Sequence, residues 1–323
     1  MDIRTGIGKT GVALAAFVAF AMCLLSLLFR PVEISSLQYG LCFPSPDSWN
    51  VDSFWSWLIN TWLIAVIAVI LWAVNKRYNF IRTTEPALLA LFLIMTASSP
   101  WFTEEINTSV ILCLANVISL SIIFASYDLR NATHQMFILG FVIGTGSMFQ
   151  YAFLPMAAAY FLWALYMKVL RLKESLAFLL GILCPYWIAL GIGWRRFSDI
   201  HFPSFTPLFG NISDYTDFML LLIGIGLAAG IGIIVALINF MKLYAGNSKV
   251  NAMNLCISTL GAVALISILV DYDNMPAYVI TLFMCSAVQI ANICSLWNPK
   301  WPWLVTVLPS VFYIAIFIGS MIF

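Results

Sequence analysis

A chain of 323 residues that is 63% hydrophobic and 9% charged departs far from a soluble domain, where roughly 45–50% and about 25% are usual. Fifteen Lys and Arg with fourteen Asp and Glu cannot coat a water-facing surface of that size, so lipid must be the outer solvent. The net charge of +1 shows no clustered basic face, which sets nucleic-acid binding aside.

A transmembrane helix needs about 20 mostly apolar residues, and eleven such stretches follow one another. The first, 11–29, stands behind Arg4 and Lys9. It is longer than a cleaved signal core and no A-x-A site follows it, which predicts a retained signal anchor. Next come 54–74, then a short run 86–99 that stops at Ser98-Ser99-Pro100, then 108–126. The runs 134–151 and 154–170 are separated only around Gln150-Tyr151 and Pro155, and 175–193, 217–240, 252–270, 275–293 and 302–321 complete the series. The longest connections, 30–53 and 194–216, are too short for a self-standing core. The expected architecture is therefore all-α: one transmembrane domain over 1–323, a polytopic helical bundle of about eleven spans, N-terminus inside and C-terminus outside.

Charge fixes that orientation, because Lys and Arg accumulate on the cytoplasmic side. With the N-terminus inside, the inner segments hold Arg4, Lys9, Lys76, Arg77, Arg82, Arg130, Lys168, Arg171, Lys173, Lys242, Lys249 and Lys300, and the outer face keeps Arg30, Arg195 and Arg196. Glu33, Asp47, Asp52, Glu104, Glu105, Asp199, Asp214, Asp217, Asp271 and Asp273 all fall outside.

Polar chemistry is thus expected on the outer loops. Glu104-Glu105 and Asp271-Tyr-Asp273 are paired carboxylates, able to bind a divalent cation or to divide acid and base roles; they serve equally as solvated helix caps. The first outer loop carries Glu33, Asp47 and Asp52 among Pro31, Pro44, Pro46 and Trp49, with Trp55 just beyond. It reads either as an ordered loop presenting a carboxylate base over a membrane-embedded substrate or as a plain aromatic belt. Asp47, Asp52, Glu104 and Glu105 form the candidate catalytic set. Trp194-Arg195-Arg196 breaks the positive-inside pattern and suits a phosphate grip, or contacts with anionic headgroups or Asp199. Gln150 joins these as a candidate substrate-binding residue, because Gly144 to Pro155 reads as a hairpin whose unwound backbone would need a protein-lined cavity.

Other patterns are quieter. Gly140, Gly144 and Gly146, and Gly224, Gly226, Gly230 and Gly232, have the spacing that lets helices approach closely. The seven cysteines form no C-x-x-C pair; six read as small hydrophobes and Cys42 as a loop residue without an obvious partner. No metal site is expected, and no cofactor is indicated. The spans hold almost no ionisable residue and neither His134 nor His201 lies in the middle of an apolar run, which speaks against an ion-coupled transporter. The sequons at Asn107, Asn131 and Asn211 are assigned no role.

Three blocks carry a resemblance. Asn75-Lys-Arg-Tyr-Asn-Phe with the Glu85-Pro86 span, Phe137-Ile-Leu-Gly140-Phe-Val-Ile-Gly144 through Phe153-Leu-Pro155, and Arg171-Leu-Lys-Glu174 through Gly181-Ile-Leu-Cys-Pro185-Tyr186 resemble an uncharacterised family of Bacteroidota polytopic inner-membrane proteins, a domain of unknown function. The resemblance spans roughly Asn60 to Leu190 and implies a bacterial inner (cytoplasmic) membrane location, with no established activity. More weakly, the order of an acidic first outer loop, an acidic second one, a Gly-rich span, a Pro-containing hairpin and a basic inner turn is similar to the glycosyltransferase C superfamily. That similarity implies Asp47 or Asp52 as the base, Glu104 or Glu105 as a metal or acceptor ligand, and Arg195 or Arg196 as a clamp on a polyprenyl-phosphate sugar. The short first loop and the lack of a C-terminal outer domain depart from that pattern.

The functional expectation is a multi-pass protein of cell-envelope assembly acting on a polyprenyl-phosphate-linked or other lipid-linked substrate at the periplasmic face. Its alternatives are a non-catalytic scaffold subunit of a larger envelope complex, packing through its glycine faces, and a lipid transporter or flippase. The expected partners are membrane lipids, a lipid-linked substrate and other membrane subunits.

Overall fold

Each apolar run becomes a helix because a backbone in hydrocarbon must satisfy its own hydrogen bonds. The computed structural model describes residues 9–29, 40–49, 51–81, 85–194, 219–243, 248–271, 274–297 and 302–322. Among them are eleven α-helices: α1 Lys9–Phe29, α2 Ser53–Tyr78, α3 Glu85–Ala97, α4 Thr108–Ala125, α5 Thr133–Phe149, α6 Met156–Tyr166, α7 Leu172–Gly191, α8 Met219–Leu243, α9 Ser248–Val270, α10 Met275–Trp297 and α11 Pro302–Ile322. Short 3-10 turns lie at Pro46–Ser48, Pro100–Phe102 and Tyr151–Phe153. Seven helices, α1, α2, α4, α7, α8, α9 and α10, are long and apolar enough to cross a membrane by length and composition. This is a multi-pass helical bundle.

At 13 and 11 residues, α3 and α6 rise only about 20 Å and 17 Å, against about 30 Å of hydrocarbon. Burial compensates: Ala87, Leu88, Ala90, Leu91, Phe92 and Met95 of α3 and Met156, Ala159, Tyr160, Trp163 and Ala164 of α6 are all buried. The backbone that follows α3 and precedes α6 can be irregular because protein surrounds it.

Hydrogen bonds sort the connections onto two ends. At one end Tyr127 Oη lies 3.1 Å from Ser248 Oγ, the Asp128 amide donates to the Met167 carbonyl (3.0 Å), and Arg171 Nη1 donates to the Arg130 carbonyl (2.9 Å). Asn75 closes the turn after α2, accepting from the Ile81 amide (2.8 Å) and donating to its carbonyl (3.2 Å), while Asn79 ends the helix in the left-handed region at φ 49°. Lys76, Arg77, Arg130, Lys168, Arg171, Lys173 and Lys249 all stand at this basic end. Asp47, Asp52, Glu104, Glu105 and Asp271 gather at the other. The connections carrying Arg30, Arg195, Arg196 and the remaining outer acids lie outside the described residues.

The core is organised around α10. Its stretch 277–294 is buried throughout, packed against α3, α4, α8, α9 and α11. Thr281 Oγ1 accepts from Asn116 Nδ2 (3.1 Å), whose carbonyl accepts from Tyr160 Oη (2.8 Å). Ser286 Oγ donates to the Ala228 carbonyl (2.9 Å). Gln289 Nε2 donates to Ser258 Oγ (2.9 Å), and Asn292 Nδ2 to Asn254 Oδ1 (3.0 Å). Each such interhelical bond contributes about 0.6 kcal/mol, and several along one helix fix which neighbour packs where.

The two glycine runs behave differently. A Cβ at Gly140 would stand 2.1 Å from the Phe178 carbonyl oxygen, and one at Gly181 2.2 Å from that of Phe137, so α5 and α7 touch backbone to backbone. In the second run Gly224 and Gly232 face α10 and α11, whereas a Cβ at Gly226 or Gly230 would meet nothing within 4 Å among the described residues. None of the seven cysteines is joined in a disulfide, and Cys42 is buried with Met148 and Ala189.

Two outcomes follow. Gly140→Ala forces α5 off α7 and lowers stability by about 1–3 kcal/mol, read as a lower melting temperature in detergent. Glu105→Cys, at an exposed outer position, reacts with a membrane-impermeant maleimide in intact cells, whereas Lys173→Cys, exposed at the basic end, reacts only once the membrane is permeabilised.

Candidate functional site

The acidic end is built on the segment between α3 and α4, which the sequence forces out of helix. Pro100 cannot continue the hydrogen-bonded ladder, and Ser98 Oγ turns back to the Met95 carbonyl (2.7 Å). The segment then runs buried beneath α1 and α2 instead of across the surface: Thr103 is fully buried and Glu104 is 6% exposed. Neighbouring spans satisfy its polar groups. Asn60 Nδ2 of α2 donates to the Phe102 carbonyl, Ser56 Oγ accepts from the Ile106 amide (2.7 Å), and Ser26 Oγ of α1 donates to Glu104 Oε1 (2.7 Å). Thr103 Oγ1 donates in turn to Ser26 Oγ (3.3 Å).

Asp47 meets the same segment from the first outer loop. Its Oδ1 accepts from the Thr108 amide (2.9 Å) and its Oδ2 from Thr108 Oγ1 (2.5 Å) and Ser45 Oγ (3.3 Å). Beside it Asn107 Oδ1 accepts from the Val110 amide (3.0 Å). Two side chains therefore satisfy the open amides at the start of α4, where the helix dipole favours negative charge. Asp52 sits at the start of α2 with no side-chain capping bond, exposed, as Glu105 is.

The first loop also straps α5. The Leu41 amide donates to the Ser147 carbonyl (3.2 Å), and the Cys42 and Phe43 amides donate to that of Met148 (3.0 and 2.8 Å). Just beyond, Gln150 is extended and buried, and its Nε2 donates to Asn274 Oδ1 (3.0 Å). Asn274 Nδ2 donates to Asp271 Oδ2 (2.7 Å) and to Tyr151 Oη. The acidic end thus carries hydrogen-bonded groups around Glu104, around Asp47, and around Gln150 with Asp271. Of the remaining candidates, Trp194 is 67% exposed beyond the end of α7, and Arg195 and Arg196 lie outside the described residues. The broken hairpin expected at Gly144–Pro155 narrows to Gln150 and one 3-10 turn, since α5 stays helical to Phe149.

None of the candidate catalytic or substrate-binding residues lines either of the two cavities described. One, about 300 Å³, lies between α1, α2 and α3, lined by small residues such as Ala16, Ala19, Ala65 and Ala68. The larger, about 370 Å³, is a cleft between α8 and α9 with α10 as its floor. Ala228, Gly232, Ala236, Gly261 and Ala262 keep it open, and its rim residues Ile233, Leu237 and Ile266 are about half exposed, facing outward to lipid. Its polar end is Ser258 with Gln289, and Asn239 Nδ2 donates to Gln289 Oε1 (2.7 Å) behind them. Sequence reasoning passed over Asn239, Gln289 and Asn292; the available signal was an amide inside an apolar run, which is costly in lipid unless it is partnered or functional. Among the described residues no three His, Cys, Asp or Glu cluster in a way that could hold a metal ion.

Comparison of the chain with protein-family models, with curated proteins and with solved structures finds no match in any of the three.

Asp47→Ala removes the cap on α4 and costs about 1 kcal/mol, whereas Asp47→Asn keeps the acceptor and loses only a fraction of that; thermal unfolding in detergent measures both.

Proposed function

We propose that this chain is a multi-pass protein of a bacterial inner membrane that takes an amphipathic lipid, or a lipid-linked molecule, from the plane of the bilayer during cell-envelope assembly. The observation supporting this is the α8/α9 cleft: concave, walled by apolar side chains, open on the lipid side and floored by a helix that carries hydrogen-bonding groups. Ligand sites combine an apolar lining with few polar groups in this way. An apolar space in contact with lipid fills with lipid chain, because each buried methylene contributes about 0.8 kcal/mol.

A second reading, a transferase acting at the outer face with a glycosyltransferase-C-like scaffold, is favoured by Glu104. A carboxylate buried beside a non-helical segment at an outer helix end is where a membrane enzyme would keep a base or acceptor ligand. The hydrogen bonds of Asp47 leave it a capping role in either reading.

Ala236→Phe and Ala262→Phe fill the cleft from its sides. Labelling of α8 and α9 by a photoactivatable fatty-acyl lipid in vesicles should fall about tenfold in the double variant, as a few methylenes of contact are lost. Unchanged labelling with unchanged melting temperature rejects the lipid-binding reading. Loss of envelope synthesis in Glu104→Gln cells with normal protein levels would favour the transferase instead.

A further inference from the structure

Four cations crowd two touching turns at the basic end. Arg130 lies on the α4/α5 connection, and Lys168, Arg171 and Lys173 lie on the α6/α7 connection and the first turn of α7; all four are exposed. The turns are bound to each other, the Asp128 amide donating to the Met167 carbonyl (3.0 Å) and Arg171 Nη1 to the Arg130 carbonyl (2.9 Å). A backbone carbonyl holds the guanidinium in place without neutralising it.

The protein does not neutralise the others either. Two acids occur in 126–134 and 166–175, Asp128 and Glu174. Glu174 is 2% exposed; its Oε1 accepts from Thr133 Oγ1 (3.4 Å), and its Oε2 has no hydrogen-bond partner among the described residues. The cations therefore turn away from the one buried carboxylate, and exposed Asp128 cannot balance four charges. Lys168 also stands at φ 58°, just past the end of α6, where its own amide and that of Val169 close the helix on the Leu165 and Ala164 carbonyls (3.0 Å each). Glycine is usual at that position because a side chain crowds the backbone there. The turn alone would be better served by glycine.

Exposed leucines fix the height of the patch in the bilayer. Leu172 is 80% exposed and Leu176, one turn on, is 52% exposed; such side chains need hydrocarbon beside them. Arg171 and Lys173 flank Leu172 in sequence, so the cations stand where acyl chains end and headgroups begin. Basic clusters at that level attract anionic headgroups, and guanidinium binds phosphate well. A soluble acidic partner would leave the leucines uncovered.

We infer that the joined α4/α5 and α6/α7 turns bind the headgroup of an anionic phospholipid, with Arg130, Lys168, Arg171 and Lys173 around its phosphate and an acyl chain against Leu172 and Leu176. The site shares no residue with the α8/α9 cleft and does not depend on what the cleft takes.

The full-length protein in neutral detergent is titrated with phosphatidylglycerol and with phosphatidylcholine of the same chains, and bound lipid is counted by native mass spectrometry. Both lipids carry a phosphate and only the first carries a net charge, so phosphatidylglycerol is expected to bind more tightly. Each cation removed weakens it about fivefold. Lys168→Gly is the decisive variant: it relieves the left-handed lysine, so the melting temperature holds or rises while the preference for phosphatidylglycerol falls. Lys173→Gln lowers the preference likewise, and Lys76→Gln, at the end of α2, leaves it unchanged. A phosphatidylglycerol analogue with a photoactivatable headgroup crosslinks within 126–134 and 166–175. Equal binding of the two lipids overturns the proposal, as does an equal loss from Lys76→Gln or crosslinking confined to other connections. Inorganic phosphate, which lacks the chains, is expected not to displace the lipid at the same concentration; if it does, the site takes free phosphate and the lipid assignment fails.

Discussion

A helix enclosed by protein on every side has no lipid or water to absorb its polar groups, and that condition governs how α10 and its neighbours assemble. Thr281, Ser286, Gln289 and Asn292 each need a partner from another helix, and each has one. The net gain per bond is small. The cost of leaving any of them unmade is larger, because a solitary amide in a low-dielectric interior forfeits its hydration without return. These side chains therefore act mainly on register: α4, α8 and α9 can slide along α10 only by breaking them. Since α8 and α9 are both committed to α10, they do not close on one another, and the space left between them is the cleft. Architecture and cleft thus share one cause.

The acidic end shows carboxylates put to two uses. Asp47 is consumed by the start of α4, where three donors converge on it. Glu104 is drawn inward with the segment after α3, because a helix of 13 residues is too short to bring that segment to the surface. Ser26, Ser56 and Asn60 then supply from α1 and α2 the hydrogen bonds that water would otherwise make. The same short helix therefore explains both the burial of Glu104 and the polar residues placed near the outer ends of two otherwise apolar spans.

Much of the fold was legible because lipid imposes one simple demand. The eleven apolar runs become eleven helices with ends displaced by a few residues, and the basic connections collect at one end. The α5/α7 contact could be anticipated from Gly140 and Gly144, since small residues at that spacing permit backbone approach. The same spacing at Gly226 and Gly230 gives no contact among the described residues, because spacing says where a helix is narrow and not whether anything lies opposite. The site was less legible. Asp47 reads equally well as a base or a cap until Thr108 is seen against it, a partner distant in sequence. The pairing of Asn239 with Gln289 joins two helices, and no local pattern announces it. What the sequence did contain was the amide itself within an apolar run, a signal of cost without an address.

The two clefts arise alike, from adjacent helices resting on a third, and each has a buried oxygen without a partner nearby: Thr61 Oγ1 in the lining of the first and Asn239 Oδ1 behind the lining of the second, on a side chain bonded to Gln289. They are not equivalent. A threonine hydroxyl in a helix can rotate about χ1 and donate to the carbonyl four residues back, so its unpaired state is relieved without help from outside. The Asn239 amide is planar and its nitrogen is already engaged twice by Gln289, so turning its oxygen elsewhere breaks existing bonds. The Asn239 oxygen is thus a fixed acceptor left unmet at this helix contact, as Asn60 Oδ1 is at the acidic end.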